Sequence, residues 1–330
     1  MKKIISDTSI PVLVTGGAGF IGSNLVETLL AEGCRVTCFD NFATGSRENI
    51  APFMNDENFT FIEGDLRSAA DCRKAVANCG YILHQAALGS VPRSIANPED
   101  SIAVNVAGTV NLFAAAQRAG VRRVVYASSS SVYGDDTSAV KTEERTGKVL
   151  SPYAASKAAC ELFAGNFAAV YGLECVGLRY FNVFGKRQTP DGAYAAVIPK
   201  FALTLIEHRS PVINGDGLVS RDFTFIDNVV NANLLALSSP VAPGNVYNVG
   251  CNDSFTVNEL FAALRQALAE YDPAIAAVEA VHGPARPGDV RFSRASIEKA
   301  KSDLGYEVVA DFASGISKVA GYFFETYGGR

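Results

Sequence analysis

The stretch from Ile10 to Gly22, IPVLVTGGAGFIG, decides the fold of this chain. Its first six residues have the apolar character of a short buried parallel strand, and the residues after Gly22 have the apolar spacing of a helix. Glycines between a strand and a helix permit a tight turn, a close approach of backbone N–H groups to a pyrophosphate, and close helix–strand packing. In this strand–turn–helix context the glycines predict a nucleotide-binding loop.

Further strand-like segments follow the glycine loop. The next one ends at Asp40, about 20 residues beyond the glycines, where an acidic side chain meets adenosine ribose hydroxyls and repels a 2′-phosphate. NAD is therefore favoured over NADP, although Arg47 lies nearby. A third strand ends at Asp65, within reach of an adenine amino group, and a fifth delivers residues 128–131 to its carboxyl end. Ligands of open α/β sheets bind at that edge.

The alternation predicts an α/β fold: a Rossmann-type doubly wound parallel sheet with a smaller, discontinuous C-terminal substrate lobe. The segments 222–226 and 245–249 are strand-like and are expected to rejoin the main sheet. The expected division is therefore residues 1–182 plus 225–252 for the NAD-binding domain, and 183–224 plus 253–330 for the substrate lobe.

Tyr153 and Lys157 lie four residues apart, so a helix places both side chains on one face, one turn apart. Ser151 suits the cap of that helix and Pro152 suits its first turn. A free phenol has a pKa of about 10, and work as a base near pH 7 requires a fall of about 3, on the order of 4 kcal/mol. A lysine ammonium and a positively charged cofactor ring would supply it, so the pair predicts a tyrosine base.

Composition excludes several classes of function. The chain has 330 residues, a net charge of −5 and 48% hydrophobic residues, so no basic surface for nucleic acid is expected. We also expect no membrane span and no signal peptide. The seven cysteines and three histidines have no metal-ligand spacing, so no metal is expected, and reduced cysteines indicate a cytoplasmic protein.

Together these elements resemble the extended short-chain dehydrogenase/reductase family of nucleotide-sugar enzymes, over essentially the whole chain. The resemblance is carried by residues 15–22 (TGGAGFIG), 128–134 (SSSSVYG), the Tyr153/Lys157 pair, 179–185 (RYFNVFG) and 221–223 (RDF). It implies that Tyr153 is the proton acceptor, Lys157 its electrostatic partner and ribose ligand, and Ser129 its hydrogen-bonding helper.

The resemblance also implies an NAD cofactor that is tightly bound and not consumed. The residues expected to contact it are Gly16, Gly19, Phe20, Ile21, Gly22, Asp40, Asn41, Thr44, Gly45, Asp65, Leu66, Gln85, Ala86, Ala87, Asn105, Tyr153, Lys157, Tyr180 and Val183.

The residues after Ser129 favour one reaction within the family. Related dehydratases carry an Asp-Glu pair there, and related decarboxylases carry a Glu at the second position, whereas this chain has Ser130 and Ser131. The epimerase/reductases use a cysteine and a histidine, but His84 and Cys160 lie elsewhere and are interpreted as structural. One base without a second acid suits 4-epimerisation: the tyrosine takes the 4-hydroxyl proton, the 4-keto sugar rotates, and the same tyrosine returns the proton.

The second half of the chain resembles the nucleotide clamps of UDP-sugar enzymes. Residues 213–215 and Arg221 resemble the uridine and pyrophosphate contacts, Arg286 resembles a second diphosphate arginine, and Asp289 lies close to the ribose. The residues expected to contact the substrate are Gly89, Ser90, Arg93, Ser129, Ser130, Ser131, Asn182, Gln188, Ala196, Val197, Ile213, Asn214, Gly215, Arg221, Arg286, Asp289 and Ser293.

Ser293 discriminates between sugars. In UDP-galactose 4-epimerases a tyrosine at the matching position excludes N-acetylated sugars, while a cysteine admits them, so a serine should leave room at C2. The segments 86–94 and 192–199 closely resemble bacterial 4-epimerases for UDP-N-acetylglucosamine (UDP-GlcNAc) and its uronic acid. We therefore expect interconversion of UDP-GlcNAc and UDP-N-acetylgalactosamine (UDP-GalNAc), or of the uronates.

Three alternatives stay open. UDP-glucuronate or UDP-glucose 4-epimerase is the first, since Arg93 could meet a C6 carboxylate. The others are a catalytically silent nucleotide-sensing member of the family and a net oxidoreductase that needs external NADH.

Two alanine-rich helices, around 100–119 and 152–171, predict assembly. Small residues permit close helix packing, and members of the family pair these helices in a four-helix bundle. A homodimer is therefore expected.

Overall fold

The first strand forms because residues 12–15 are apolar and β-branched and end at a glycine. The computed structural model describes residues 5, 7–190, 195–240, 243–285 and 291–329. Strand β1 (Val12–Thr15) is fully buried, and the glycine loop leads directly into helix α1 (Phe20–Ala31). The predicted strand–turn–helix unit is confirmed.

The strands differ greatly in length between the two halves of the chain. After β1 they are β2 (Val36–Asp40), β3 (Phe59–Glu63), β4 (Tyr81–His84), β5 (Arg123–Ser129), β6 (Val140–Lys141), β7 (Glu174–Tyr180), β8 (Val183–Phe184), β9 (Val212–Asn214), β10 (Ser220–Arg221), β11 (Thr224–Phe225), β12 (Val246–Val249), β13 (Phe255–Thr256), β14 (Val281–Gly283) and β15 (Phe292–Ala295).

The helices alternate with these strands. After α1 they are α2 (Ala69–Ala75), α3 (Val91–Ala96), α4 (Pro98–Ile102), α5 (Gly108–Arg118), α6 (Pro152–Tyr171), α7 (Val197–Ile206), α8 (Ile226–Ser238), α9 (Val257–Ala269), α10 (Glu298–Leu304) and α11 (Phe312–Tyr327). A π-helical turn, Ala103–Ala107, separates α4 from α5, and 3₁₀ turns cover Arg47–Asn49, Ala51–Phe53, Ser130–Tyr133 and Pro273–Ala277. No helix within the described ranges is long and apolar enough to span a bilayer.

Seven parallel strands form the main sheet in the order β3-β2-β1-β4-β5-β7-β12. The order runs outward in both directions from β1, which is the doubly wound arrangement predicted from the sequence. All seven strands point the same way, so their carboxyl ends meet at one edge. Asp40, His84 and Ser129 are the last residues of β2, β4 and β5 and therefore lie at that edge.

The short strands of the second half form separate small sheets. One has the order β13-β10-β15-β6, and two pairs are β11 with β8 and β14 with β9. Residues 245–249 rejoin the main sheet through β12, as predicted. The same prediction for 222–226 is wrong: β11 pairs with β8, because Phe225 packs against Phe184 with ring centroids 5.4 Å apart. Residues 140–141, expected in the NAD-binding domain, pair with β15 instead, and the division into two lobes stays a proposal.

Candidate active site

A cavity of about 1330 Å³ opens where the glycine loop meets the carboxyl edge of the sheet. A Cβ on Gly22 would lie 2.1 Å from the carbonyl oxygen of Gly16, and Gly16 has a φ of +67°, so this turn requires glycine. Gly19 is the N-cap of α1, and no side chain of the described residues caps the first turn. Free N–H groups at a helix start that lines a cavity fit a pyrophosphate.

Asp40 lies at the opposite side of this loop. Its carboxylate is 8% exposed and accepts hydrogen bonds from the N–H groups of Ala18 (3.0 Å) and Phe42 (2.8 Å). Burial raises the pKa of Asp40, and the backbone donors oppose that rise. Asp65 also lines the cavity, and its hydrogen bond to Arg67 is the main reason why its pKa is lowered to about 2. Both carboxylates therefore fix the loops on this side of the cavity.

Most of the predicted cofactor residues meet in this one cavity. Those that line it are Gly16, Gly19, Phe20, Ile21, Gly22, Asp40, Asn41, Thr44, Gly45, Asp65, Leu66, Gln85, Ala86 and Ala87. Four of the predicted substrate residues, Gly89, Ser90, Arg93 and Gln188, line it as well. The glycine loop, the acid at the end of β2 and the size of the cavity together fit a dinucleotide next to a second ligand.

Helix α6 carries the Tyr153/Lys157 pair. Ser151 caps it by accepting a hydrogen bond from the Ala154 N–H (3.1 Å), and Pro152 is its first residue, so both predictions for this helix start are confirmed. Lys157 is 5% exposed and its Nζ donates to the carbonyl oxygen of Ala127 in β5 (2.8 Å). The Tyr153 N–H donates to Ser94 Oγ on α3 (3.0 Å), one residue from the cavity lining at Arg93.

The serines after β5 form a compact turn. Ser129 is 9% exposed, and its Oγ accepts from the Ser131 N–H and donates to Ser131 Oγ, both at 3.1 Å. Glu161, two turns along α6 from Tyr153, accepts from Ser128 Oγ at 2.5 Å. That carboxylate accepts two parallel hydrogen bonds from Arg179, at 2.9 and 2.8 Å, and so forms an ion pair with it.

Asn105 and His84 link the fourth strand to α6. Asn105 is 1% exposed; its amide bonds both backbone groups of Leu88 and the Oγ of Ser156. His84 contacts Thr15 Oγ1 through Nδ1 (2.7 Å) and Thr109 Oγ1 through Nε2 (2.9 Å). Because Thr109 donates its own proton to the Asn105 carbonyl, Nε2 must carry the imidazole proton.

Both residues interpreted as structural are indeed buried among partners. Burial is the main reason why the pKa of His84 is lowered to about 3. Cys160 donates to the Asn105 carbonyl at 3.1 Å, and burial raises the pKa of its thiol. Neither group is in an acid–base position at the cavity.

Five predicted cofactor residues are absent from the described cavity lining. They are Asn105, Tyr153, Lys157, Tyr180 and Val183. Tyr180 is 8% exposed, and its hydroxyl donates to Gln85 Oε1 (3.1 Å), a residue that does line the cavity. Asn105 and Tyr180 thus contact the lining from behind.

The predicted nucleotide clamps lie on short strands. Ser293 in β15 is in register with Arg221 in β10, and the Asp222 N–H donates to the carbonyl oxygen of Ser293 (2.9 Å). Ile213 is 2% exposed, and Gly215, with a φ of +69°, accepts a hydrogen bond from Nδ1 of His282 (2.7 Å). Asn214 lies between them as the last residue of β9. Arg286 and Asp289 lie outside the described residues.

The remaining predicted substrate residues surround the segment after β7. Asn182 has a φ of +31° and donates to the Asp222 carbonyl (3.0 Å). Gln188 donates to the Val183 carbonyl (3.1 Å), and within the described chain its buried Oε1 has no hydrogen-bond partner. Ala196 is the N-cap of α7, and Val197 is its first residue. Gln188 thus lines the cavity with a side chain whose amide oxygen is buried and unpaired among the described residues.

The sequence alone did not point to several cavity residues. Arg187 and Thr189 line the cavity beside Gln188, and Tyr322, Thr326 and Tyr327 reach it from the C-terminal helix α11. The basic pair 186–187 was a visible signal for the first group. The second group had none, because about 300 residues separate α11 from the glycine loop.

Comparison with known proteins gives one family and several near relatives. The NAD dependent epimerase/dehydratase family model matches residues 12–250. A protein of Mycolicibacterium smegmatis named UDP-glucose 4-epimerase is 38% identical over 314 residues, covering 94% of this chain and 97% of that protein. UDP-glucuronate 4-epimerase 3 of Arabidopsis thaliana is 33% identical over 342 residues, covering 96% of this chain and 77% of that protein.

One solved structure is similar to this chain in both sequence and fold. The UDP-N-acetylglucosamine 4-epimerase of Methanobrevibacter ruminantium M1, in complex with UDP-N-acetylmuramic acid, has a TM-score of 0.90 and 38% identity. The similarity covers 97% of this chain and 100% of that one.

Proposed function

Because this chain belongs to the NAD dependent epimerase/dehydratase family, we propose that it is a UDP-sugar 4-epimerase that interconverts UDP-GlcNAc and UDP-GalNAc. Relatives named for 4-epimerisation of UDP-sugars support the reaction class. The observation that supports 4-epimerisation is the end of β5. Residues 130 and 131 there are serines, and the neighbouring Glu161 forms an ion pair with Arg179. A second acid is missing from this part of the described site, so one group must both take and return the proton.

NAD is the cofactor of the family, and when bound it would supply the hydride acceptor and donor for the sugar C4. The residues that would hold NAD are the glycine loop, Asp40, Asp65 and the Gln85–Ala87 segment, which share the cavity. Asp40 would accept hydrogen bonds from the adenosine ribose and disfavour a 2′-phosphate.

Tyr153 is proposed to take the proton of the 4-hydroxyl and to return it to the same oxygen after the 4-keto sugar has turned its other face to the cofactor. Lys157 supports this because its ammonium, fixed on Ala127, lies one helical turn away on the same face and favours the phenolate. Ser129 would hydrogen bond the 4-oxygen, and its turn with Ser131 keeps the hydroxyl at the strand end.

The sugar identity rests on Ser293 and Gln188. Ser293 is a small residue beside the proposed diphosphate ligand Arg221, which leaves space for an N-acetyl group at C2. Gln188 lines the cavity, and its buried amide oxygen, unpaired within the described chain, would gain a donor if the side chain turned towards a sugar hydroxyl or amide N–H. The uronates are the second candidate, because Arg93 lines the same cavity as Gln188 and would pair with a C6 carboxylate.

The deciding experiment uses purified protein without added cofactor. NAD released by denaturation is quantified, and initial rates are measured on UDP-GlcNAc, UDP-GlcNAcA, UDP-glucose and UDP-glucuronate. We expect bound NAD and the fastest interconversion for UDP-GlcNAc. Faster conversion of both uronates would select the Arg93 candidate. NADH produced in proportion to substrate would refute epimerisation, and retained NAD with no turnover would indicate a silent member of the family.

We also propose that the chain forms a homodimer through α5 and α6. The outward face of α6 is apolar and exposed, with Leu162 at 72% and Val170 at 61%. Ile102, the last residue of α4, is 53% exposed. Exposed apolar side chains on a helix are typical of a buried interface. A monomeric mass in light scattering would contradict this assembly.

A further inference from the structure

Residues 186–189, here called the strap, cross helix α1 at the edge of the cofactor cavity. Within the strap, Arg187 has a φ of +67°, which L side chains rarely adopt. Such a conformation persists only where the surrounding contacts fix it, and it is found at ligand clamps and switch regions. The backbone here therefore indicates a position that is held in place for a reason.

Three residues on one face of α1 hold the strap. Arg187 donates to Ser23 Oγ (2.9 Å) and pairs with Glu27 (2.5 Å). Lys186 pairs with the same Glu27 oxygen at 2.6 Å, and Asn24 donates to the Lys186 carbonyl at 3.2 Å. Positions 23, 24 and 27 lie within one turn of the helix, so the strap is attached along a single line.

The strap lies between two cavities. Arg187, Gln188 and Thr189 line the large cavity together with residues 19–22 of the glycine loop. Lys186, Asn24 and Glu27 line a separate cavity of about 590 Å³ on the outer side. The strap therefore forms a thin part of the cavity wall, next to the helix start that fits a pyrophosphate.

The ion pair that attaches the strap to α1 is only partly buried. The Arg187 side chain is 14% exposed, whereas the Glu27 side chain that holds it is 38% exposed. The two cations and their hydrogen bonds lower the pKa of Glu27 against the effect of its partial burial, so the carboxylate is charged near neutral pH. An ion pair with one partly exposed partner holds a segment, and opening it costs less than opening a fully buried pair.

We propose that the strap and Glu27 form a latch that retains NAD between turnovers. The proposal rests on the proposed function, since an epimerase that restores its cofactor in each cycle gains nothing from exchanging it. Cofactor exchange then requires the Glu27 pairs to break and residues 186–189 to move away from the glycine loop. The latch governs dissociation of the cofactor and takes no part in proton transfer.

The test measures exchange of bound NAD in the holoenzyme. Protein is mixed with excess isotopically labelled NAD, and the bound fraction is followed by mass spectrometry after rapid desalting. Glu27→Gln removes the charge that both cations share, and Arg187→Gly removes the guanidinium together with the left-handed side chain. We expect each variant to exchange about tenfold faster or more, which corresponds to about 1.4 kcal/mol. With saturating NAD, turnover of Glu27→Gln, whose residue lies outside the lining of the large cavity, should change far less than its exchange rate.

A double variant and a matched control sharpen this test. Glu27→Gln/Arg187→Gly should exchange no faster than the faster single variant, because both changes break the same latch. Glu279→Gln breaks the exposed pair with Arg265 in the other half of the chain and should exchange at the wild-type rate. If Arg187→Gly fails to fold, Glu27→Gln with its partly exposed carboxylate decides the outcome.

The outcomes separate the latch from the function on which it rests. Wild-type protein that binds no NAD would overturn the proposed function itself. Wild-type protein that retains NAD, with variants that exchange at the same rate, would overturn only the latch. A turnover at saturating NAD that falls as much as exchange rises would also overturn it, because the residues would then act in the reaction.

Discussion

The support of helix α6, which carries the proposed base, and the wall of the proposed substrate site are built in opposite ways. Tyr153 and Lys157 stand on a helix of 20 residues, packed on β5 and β7, which are each seven residues long. The residues proposed for nucleotide and sugar stand on β9, β10 and β15, which are two to four residues long. Phe292 and Val212 on those strands are about half exposed.

This difference separates the residues proposed for proton transfer from the residues proposed to select the substrate. A proton transfer needs donor and acceptor fixed to a fraction of an ångström, which long elements with buried polar contacts provide. A substrate wall on short strands can change its side chains without disturbing the sheet, as is general for loops on a scaffold. Changes beneath the helix should therefore affect turnover or folding, and changes in the wall should affect selectivity.

The largest effect is expected for Tyr153→Phe. Without the proposed base, turnover should fall by about 10²- to 10⁴-fold, the usual contribution of a positioned acid–base group. NAD content should stay at the wild-type value, because only a hydroxyl is removed. Tyr171→Phe, at the exposed end of the same helix, is the matched control. Wild-type rates in Tyr153→Phe would exclude this tyrosine as the base.

Glu161→Gln tests the support below the helix. The Glu161–Arg179 pair is mostly buried, so removal of one partner should lower the free energy of unfolding by about 3–5 kcal/mol. Glu279→Gln, at an exposed pair, should cost less than about 1 kcal/mol. Urea denaturation measures both. Equal losses in the two variants would mean that helix α6 is no more tightly supported than the surface.

Ser293→Tyr tests whether the wall of the proposed substrate site, on β9, β10 and β15, selects between sugars. A tyrosine in the space proposed for the N-acetyl group should cost about 1–3 kcal/mol of transition-state binding for UDP-GlcNAc, since overfilling a packed site has this cost. The rate on UDP-glucose should change much less, and the melting temperature should stay near that of the wild type. Ser293→Ala serves as the small-residue control. The same loss on both sugars would show that Ser293 does not select between them.

The smallest effect over the range to be tested, pH 7.0 to 5.5, is the pH dependence contributed by His84. In the unfolded chain this imidazole takes up a proton below about 6.5, whereas its pKa in the folded protein is about 3. The unfolded state then binds more protons, so stability falls as the pH drops from 6.5 towards 3, by about 1.4 kcal/mol for each pH unit. Stability curves at pH 7.0 and 5.5 should differ less in His84→Gln. An unchanged slope would mean that His84 is not buried in its neutral form.

The main sheet was predictable because its signals are local. Each strand of the first half is a short apolar run that ends at a chemically distinct residue, as β1 does at Gly16 and β2 at Asp40. The cap of α6 at Ser151 was predictable for the same reason. The pairing of β11 was not, because two-residue strands have no periodicity and their partners are chosen by contacts such as Phe184 with Phe225.

The sequence by itself determined the α/β fold, the glycine loop, the placement of Tyr153 and Lys157 on one helix face, and the choice of serines at 130 and 131. Only the tertiary structure decided that Glu161 is neutralised by Arg179, that Asn105 and Tyr180 support the lining from behind, and that α11 reaches the cavity. It also decided that residues 186–189 lie on α1. The reason is the range of the signal: spacing encodes which face of its own element a side chain takes, whereas contacts between different elements depend on how those elements pack.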